Sequence, residues 1–219
     1  MSAAVGDYDP PGGPVMVLHE DAELLFVEKP QGLLSVPGRG AHLRDSLQVR
    51  VAERWPSSLL VHRLDRDTSG VMVFALTRGA QRHLGLQFER RVPKKRYVAR
   101  VAGRLTPETG TVDLPLIVDW PNRPKQHVDR ANGKPAVTDW RVIRASAGET
   151  RVRLMPRTGR SHQLRVHMRE LGHPILGDPF YAEGPARDDH PRLMLHAESL
   201  RLRHPDGGAW LQVSSKVPF

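Results

Sequence analysis

The order of hydrophobic and polar residues predicts several short strands. Residues 15–30, VMVLHEDAELLFVEKP, contain two apolar runs separated by a polar turn, and Pro30 closes the second run. Residues 94–103, KKRYVARVAG, alternate Tyr97, Ala99 and Val101 on one face, which is the two-residue period of a strand. We expect further strands in GVMVFALT (70–77), DWRVIRAS (139–146), ETRVRLMP (149–156) and ESLRLRHPDGGAWLQVS (198–214). The last segment is typical of a hairpin that turns at PDGG.

Three other segments have the apolar spacing or the capping residues of helices. In the first, HLRDSLQVRVAERW, apolar residues recur every four positions, at Leu43, Leu47 and Val51. Thr77 can cap a second helix over residues 79–91. Ser161 can cap a third over residues 161–171, which we expect to stop at Gly172.

These elements predict the fold class and the domain organisation. Strands outnumber helices and short turns join neighbouring strands, which indicates an α/β (α+β) fold on a mixed, largely antiparallel sheet flanked by helices and loops. Residues 1–14, rich in Pro, Gly and Asp, are interpreted as a flexible leader, and residues 15–219 as a single domain. Residues 115–140 are dense in Pro, Asn and basic residues and predict a long excursion or a loop pair.

Composition narrows the classes of function. The 219 residues are 39% hydrophobic and 26% charged, which is typical of a globular protein. The net charge of +9 fits either an Arg-biased proteome or an anionic partner, most simply nucleic acid. The chain has no Cys, which excludes disulfides and a thiol nucleophile. Neither a signal peptide nor a long apolar run is present, so we expect a soluble, cytoplasmic protein that does not enter a membrane.

A charged turn, VHRLDRDTSG at residues 61–70, precedes one of the predicted strands. Asp65, Asp67 and Ser69 match early positions of an EF-hand loop, but its last position is Leu76, which excludes that calcium site. Ser69 lacks the G-x-S-x-G context of a nucleophile. Considered by itself, the motif leaves open that Asp65 and Asp67 are turn residues paired with nearby Arg.

A zinc site built on histidine is the remaining candidate for metal chemistry. His162 and His167 are five residues apart, which puts them on different faces of a helix, and the chain has no H-E-x-x-H motif. Histidines in such positions are more often hydrogen-bonded structural residues. We therefore expect no metal site.

The segment HRLDRDTSG resembles the active-site motif H-R-L-D-x-x-T-S-G of the RluA-type RNA pseudouridine synthases. Five other segments are similar to motifs of that family and occur in the family's order: VEKPQGLLSVPG, KKRYVARVAG, RTGRSHQLRVHM, GHPILGDPFY and LMLHAESL. The resemblance runs from about Leu25 to about Leu200. Two mild departures are Glu28, where Asn is commoner in the family, and the basic residue Arg66 after the aspartate.

The resemblance implies a pseudouridine synthase fold with an active-site cleft across its middle. It implies a reaction that breaks the uridine N1–C1′ bond, turns the uracil and rejoins it through C5. Such an isomerisation uses no cofactor. The segments DLPLIVDWPNRPKQ and GKPAVTDW are similar to the branch that modifies both tRNA and 23S rRNA, and we expect no S4-like RNA-binding domain.

The resemblance also implies a catalytic set. Asp65 matches the family's essential carboxylate, and either a nucleophilic role or proton abstraction from C2′ remains open. Arg165 matches the cation that keeps this carboxylate ionised where water is excluded. Tyr97 matches the active-site tyrosine, whose ring can stack on the base and whose hydroxyl could help to remove the C5 proton.

Further residues are implied in binding the RNA. Leu164 is expected to line the uracil pocket, although a plain core role is equally compatible with the sequence. Arg63 matches a residue that can fill the space left by a flipped base, and His62 is expected to hold the loop. Thr68 is expected to fix the turn beside the substrate. Basic residues that we expect to contact phosphates include Lys95, Arg96, Arg123 and Lys125.

The expected partner is therefore RNA, as a tRNA anticodon stem-loop, 23S rRNA or both. We expect a monomer without an obligate protein partner. A different RNA target within the family remains an alternative. So does a catalytically silent RNA-binding or ribosome-assembly factor on the same fold. A nuclease would need support beyond a basic surface.

Overall fold

The computed structural model of the protein describes residues 8–219. Its strands are β1 (Met16–Glu20), β2 (Leu24–Lys29), β3 (Leu59–Leu60), β4 (Ser69–Ala75), β5 (Lys94–Ala102), β6 (Thr109–Asp113), β7 (Leu116–Val118), β8 (Gln126–Val128), β9 (Val137–Ala145), β10 (Glu149–Pro156), β11 (Leu195–Arg203) and β12 (Trp210–Ser214). Its α-helices are α1 (Leu47–Arg54), α2 (Arg78–Glu89), α3 (Gln163–Glu170) and α4 (Pro185–Asp188).

The described residues fall into two compact units. The first unit holds the described residues up to Lys95 together with His196–Pro218, and the second holds Arg96–Leu195 and Phe219. The strands that the alternation patterns predicted are present in both units. The prediction of a single domain over residues 15–219 stays a prediction.

The first unit is built on a mixed sheet in the order β1-β2-β4-β11, with β12 on β11 and β3 on β4. Most of these pairs are antiparallel, but β4 and β11 run parallel. Apolar side chains of β2 and β4, such as Phe26 and Val73, pack with Ala80 and Leu84 of α2 in one core. This confirms the mixed, largely antiparallel character expected from the sequence.

The second unit contains an antiparallel sheet in the order β5-β10-β9-β6. Its core gathers the buried faces of β5 and β10 with residues of α3, including Ala99, Leu154, Leu164 and Met168. A separate two-stranded sheet, β7 with β8, lies inside residues 115–140. The predicted excursion therefore contains a hairpin over residues 116–128, and its last residues, 137–140, already belong to β9.

Capping explains where two of the helices begin. Thr77 accepts a hydrogen bond from the Ala80 N–H at 3.0 Å, which confirms the predicted cap of α2. The prediction for α1 was wrong at its start, because Ser46 caps a helix that begins only at Leu47. Leu43 instead ends a short 3₁₀ turn before that cap.

The predicted cap of α3 by Ser161 was also wrong. His162 occupies the cap position in a left-handed conformation, with φ at 53°, and makes no side-chain capping bond. The Gln163 side chain instead orders the turn before the helix, because its Oε1 accepts hydrogen bonds from the Arg160 N–H at 3.0 Å and from the Thr158 hydroxyl at 2.7 Å. The helix gives way to Gly172, at φ 79°, as predicted.

Part of the predicted leader can be compared with the structure, since residues 1–7 lie outside the described range. The Tyr8 hydroxyl donates to the Asp45 carbonyl at 2.9 Å and accepts from the Leu34 N–H at 3.0 Å. The Arg50 guanidinium donates to the Pro11 carbonyl at 2.7 Å.

No helix among the described residues is long and apolar enough to cross a bilayer.

The parallel pairing of β4 with β11 requires a glycine at position 70. Gly70 has a φ of 117°, and a Cβ there would lie 2.3 Å from the Ala197 carbonyl oxygen. We expect Gly70→Ala to lower the free energy of unfolding by more than about 1 kcal/mol. Gly85, inside α2, is a matched control, since a Cβ there meets nothing within 4 Å. Urea denaturation should show Gly85→Ala stabilised by about 0.5–1 kcal/mol, and equal effects at the two sites would contradict this account.

Candidate active site

The motif loop, residues 61–70, is fixed in the first unit by a buried lysine. Lys29 is fully buried at the end of β2. Its ammonium donates to the carbonyls of Pro30 at 2.8 Å, Leu33 at 2.6 Å and Arg66 at 2.7 Å. A buried ammonium is costly unless it is hydrogen-bonded, so these bonds hold the backbone directly after Asp65. Sequence reasoning missed Lys29, although VEKP stands among the family's motifs.

A serine holds the backbone on the other side of the aspartate. The Ser35 hydroxyl donates to the Leu64 carbonyl at 2.6 Å and accepts from the Leu64 N–H at 3.1 Å. The Thr68 N–H donates to the Asp65 carbonyl at 3.2 Å, which closes a turn over the half-buried carboxylate residue. The position of Asp65 is therefore set by the fold of the first unit.

The neighbouring charges of the motif have separate roles. Asp67 is 8% exposed, and Arg66 donates to it from Nε at 2.9 Å. The interpretation as a turn aspartate paired with a local arginine is therefore confirmed for Asp67. Thr68 is buried and its backbone closes the turn, whereas Arg63 is exposed.

A chain of polar side chains leads away from the end of the motif. The Ser69 hydroxyl lies 2.8 Å from Nδ1 of the fully buried His196, and Nε2 of His196 lies 3.0 Å from the Ser215 hydroxyl. Ser215 in turn donates to Glu28 at 2.7 Å. This network ties β4, β11 and β2 together behind the loop. Only the histidine of LMLHAESL signalled it in the sequence.

His62 is held as a neutral imidazole. Its Nε2 accepts the Val73 N–H at 3.1 Å, and its ring stacks on Phe88 at 4.9 Å between centroids. Burial, and then the charge of Lys95, lower the pKa of His62 to about 3. The prediction that His62 holds the loop therefore has a structural basis.

Burial, and then the charge of Arg91, lower the pKa of Lys95 to about 8.

Arg165 lies in the second unit, on the first turn of α3, and is 1% exposed. Its Nε and Nη2 donate to the two carboxylate oxygens of Asp178, each at 2.7 Å. The guanidinium also lies 5.1 Å from the ring centroid of Phe180 and 5.2 Å from that of Tyr181. A two-pronged ion pair under aromatic rings fixes both the plane and the position of the guanidinium.

Asp178, the partner of Arg165, was not singled out by sequence reasoning. It is fully buried, and its Oδ1 also accepts the backbone N–H groups of Phe180 at 2.9 Å and Tyr181 at 3.1 Å. These bonds satisfy a carboxylate that would otherwise be costly to bury. The available signal was the aspartate of GHPILGDPFY, whose partner is 13 residues away along the chain.

Tyr97 and Leu164 share the core of the second unit. Tyr97 lies opposite Leu154 in the β5–β10 register and is half-buried. Leu164, at 7% exposure, belongs to the cluster against which Tyr97 packs. The core role allowed for Leu164 is thus observed, and its role in a uracil pocket stays a prediction.

The two histidines considered as zinc ligands serve as structural hydrogen-bond partners. Nδ1 of His162 lies 2.7 Å from the Tyr181 hydroxyl. His167 is fully buried, with Nδ1 2.9 Å from the Thr138 hydroxyl and Nε2 3.1 Å from the Leu114 carbonyl. Within residues 8–219, no three His, Asp or Glu side chains group as a metal site.

The structure divides the predicted site residues between the two units. His62, Arg63, Asp65, Thr68 and Lys95 belong to the first unit. The second unit holds the other six: Arg96, Tyr97, Arg123, Lys125, Leu164 and Arg165. Arg96 and Arg123 are exposed, and Lys125 is partly so. The pairing of Asp65 with Arg165 stays a prediction.

Comparison with known proteins gives consistent matches. A family model described as RNA pseudouridylate synthase matches residues 23–170. Proteins called "Dual-specificity RNA pseudouridine synthase RluA" are similar over nearly the whole chain. The protein of Escherichia coli strain K12 is 55% identical over 97% of this chain and 98% of its own. That of Pasteurella multocida strain Pm70 is 49% identical over 99% and 100%.

Solved structures extend the likeness to the fold. Human RNA Pseudouridylate Synthase Domain Containing 1 matches with a TM-score of 0.79 and 31% identity, over 96% of this chain and 87% of that one. Human RNA Pseudouridylate Synthase Domain Containing 4 matches with a TM-score of 0.74 and 29% identity, over 93% and 88%.

Replacing Asp178 by Asn should destabilise the protein. The change leaves a buried guanidinium without its anionic partner, which typically costs about 3–5 kcal/mol. Chemical denaturation measures the free energy of unfolding. Asp188→Asn on α4 is the matched control, because that carboxylate pairs with Arg187 at the exposed surface and its loss should leave the free energy of unfolding close to that of the wild type. Equal losses in the two variants would contradict the role given to Asp178.

His62 should make stability depend on pH. Its pKa in the folded protein, about 3, lies below its ordinary value of 6.5, so the unfolded chain binds a proton that the folded one does not. The free energy of unfolding should therefore fall as the pH drops through that interval. His62→Gln, which keeps an acceptor for the Val73 N–H, should flatten the decline when urea denaturation is compared at about pH 7 and about pH 5. Identical declines in the two proteins would refute this assignment.

Proposed function

The chain belongs to the RluA-type RNA pseudouridine synthases, and on that premise we propose that Asp65, Tyr97 and Arg165 form its catalytic set. We further propose that tRNA and 23S rRNA both supply its target uridines. The observation that carries the assignment of Asp65 is the anchored backbone on either side of it, through Lys29 and Ser35.

The reaction sets the demands on these residues. The N1–C1′ bond of uridine breaks, a C5–C1′ bond forms, and the hydrogen on C5 is exchanged for one on N1. Composition and oxidation state do not change, so the reaction needs no electron carrier and no group donor. The enzyme must instead hold an extruded base, let it turn and move protons.

Asp65 supplies the carboxylate. Two roles are compatible with its position: attack on the nucleoside, or removal of a proton from C2′. Both roles require the ionised form and a fixed direction of approach. A fixed approach is what the bonds at Leu64 and Arg66 supply, because they hold the backbone before the substrate arrives.

Arg165 supplies the positive charge that keeps such a carboxylate ionised. A guanidinium is planar and carries five N–H groups, so the pair with Asp178 through Nε and Nη2 also fixes the directions of the other three. Asp178 and the aromatic rings orient the group in advance, so that little reorganisation is needed during the reaction.

Tyr97 is assigned to the base itself. Its half-buried ring, on a strand that is well packed beneath it, can stack on uracil. Its hydroxyl can then act when the C5 proton leaves. The ring packs against the core of the second unit, which includes Leu164.

RNA recognition is assigned to the exposed basic residues. The similar proteins carry the words "dual-specificity" in their names, and identities of 49–56% support the same breadth here. Arg63 would fill the gap left by the flipped base, and Arg96, Arg123 and Lys125 would contact phosphates. A monomer in the cytoplasm stays our expectation.

The Asp65→Asn variant tests the proposal. We expect it to fold and bind RNA like the wild type but to form no detectable pseudouridine, because an amide cannot replace the carboxylate in either role. The substrates are an unmodified tRNA anticodon stem-loop and a 23S rRNA hairpin. Pseudouridine is mapped by carbodiimide-dependent reverse-transcription stops.

Asp67→Asn is the matched control in the same loop. It makes the same chemical change two residues away, at a carboxylate that pairs with Arg66, and should keep turnover within about tenfold of the wild type. Appreciable activity in pure Asp65→Asn protein would refute the assignment. Absence of pseudouridine with the wild type on every RNA would favour a silent RNA-binding factor.

A further inference from the structure

The β7–β8 hairpin presents a tryptophan to solvent. Trp120 lies in the turn of this hairpin and is 66% exposed, the largest exposed fraction among the four tryptophans of the chain. The guanidinium of Arg123 lies 3.9 Å from the centre of the Trp120 ring. Large aromatic side chains contribute most when they are buried, so a ring left in solvent does little for the stability of the fold.

The turn that carries this ring is built to hold one shape. The Asp119 N–H donates to the Lys125 carbonyl at 2.9 Å, and the Lys125 N–H donates to the Asn122 carbonyl at 3.0 Å. The Asn122 side chain donates to the Asp119 carboxylate at 2.9 Å. Pro121 and Pro124 restrict the backbone further. A ring held in this way loses little conformational entropy when a ligand stacks on it.

The base of the hairpin is tied to the residues around Arg165. The Gln126 N–H donates to the Tyr181 hydroxyl at 2.8 Å. Leu116 and Val128 pack with Tyr181 and with Val166, the neighbour of Arg165 on α3. The exposed ring and the proposed catalytic guanidinium therefore stand on one scaffold inside the second unit.

We propose that Trp120, backed by Arg123, is a stacking platform for an unpaired base of the substrate RNA. This inference rests on the proposed function and adds a recognition element to it. An aromatic ring flanked by cations combines base stacking with attraction for phosphate, as single-stranded nucleic acid requires. Lys125, in the same turn, adds to the positive charge.

Trp210 provides a matched control. It is also exposed, at 38%, and also lies against arginines, 4.6 Å from Arg201 and 4.2 Å from Arg203. It stands on a regular strand, β12, rather than in the turn of a hairpin, so it lies outside the proposed platform. The same substitution at the two tryptophans separates a specific platform from a general effect of losing a surface ring.

The first measurement is the affinity for an unmodified tRNA anticodon stem-loop by filter binding. We expect Trp120→Leu to weaken binding about tenfold, because stacking on one base is lost. Trp120→Phe should recover most of that loss, and Trp210→Leu should stay within about twofold of the wild type. Trp120→Leu should keep the salt dependence of the wild type, whereas Arg123→Ala should reduce its slope by about one charge.

The second measurement identifies the stacked base. Each loop nucleotide of the RNA is replaced in turn by an abasic one, and binding is measured with the wild type and with Trp120→Leu. We expect one position at which the wild type loses about tenfold and the variant loses nothing further, since the two changes remove the same contact.

Three results would overturn the platform: wild-type affinity in Trp120→Leu, an equal loss in Trp210→Leu, or abasic losses that are the same in both proteins. Pseudouridine formation by the wild type on the same RNA is scored separately. Its absence would refute the proposed function, and the binding measurements would still decide whether Trp120 stacks.

Discussion

A buried ammonium with three carbonyl partners determines where the motif loop lies. Lys29 is fully buried, and one of the carbonyls that satisfies it belongs to Arg66, directly after Asp65. Breaking that contact would leave a buried charge with one partner fewer, which is costly, so the contact resists movement of the loop. The second unit uses the same principle at Arg165, where the buried cation is balanced by Asp178. In each unit a proposed catalytic residue is thus held by a buried charged group, Lys29 near Asp65 and Asp178 at Arg165, for which the loss of a partner would be costly.

The fold was predictable wherever the signal is local. Apolar runs and alternation predicted the longer strands but not the short strands β3, β6, β7 and β8. Thr77 and Gly172 marked ends of helices because cap and turn preferences act over a few residues. The start of α3 was not predictable in the same way. Ser161 has the right chemistry for a cap, but His162 occupies the cap position, and the Gln163 side chain holds the preceding turn through hydrogen bonds with Arg160 and Thr158. Which residue occupies the cap position depends on tertiary contacts that the sequence does not display.

The same distinction applies to the site. Resemblance to the family's motifs singled out Asp65, Tyr97 and Arg165 as candidates, because each stands inside a short, specific pattern. The residues that support them were missed, because their partners are far away along the chain: Ser69 meets His196 across 127 positions and Lys29 meets Arg66 across 37. Such residues look like ordinary core or turn positions until the strands are paired. Asp178, next to a glycine and a proline, is another case.

The proposed reaction is a rearrangement in which the hydrogen on C5 must leave for solvent while the RNA strand stays intact. The most direct measurement therefore uses RNA transcribed with tritium at C5 of every uridine and follows the tritium released into water by the wild-type protein. We expect release to stop at a fixed number of tritium atoms per RNA molecule, equal to the pseudouridine found in that RNA, with no strand cleavage and no effect of a chelator. No release of tritium, or release only together with cleavage of the strand, would contradict the account.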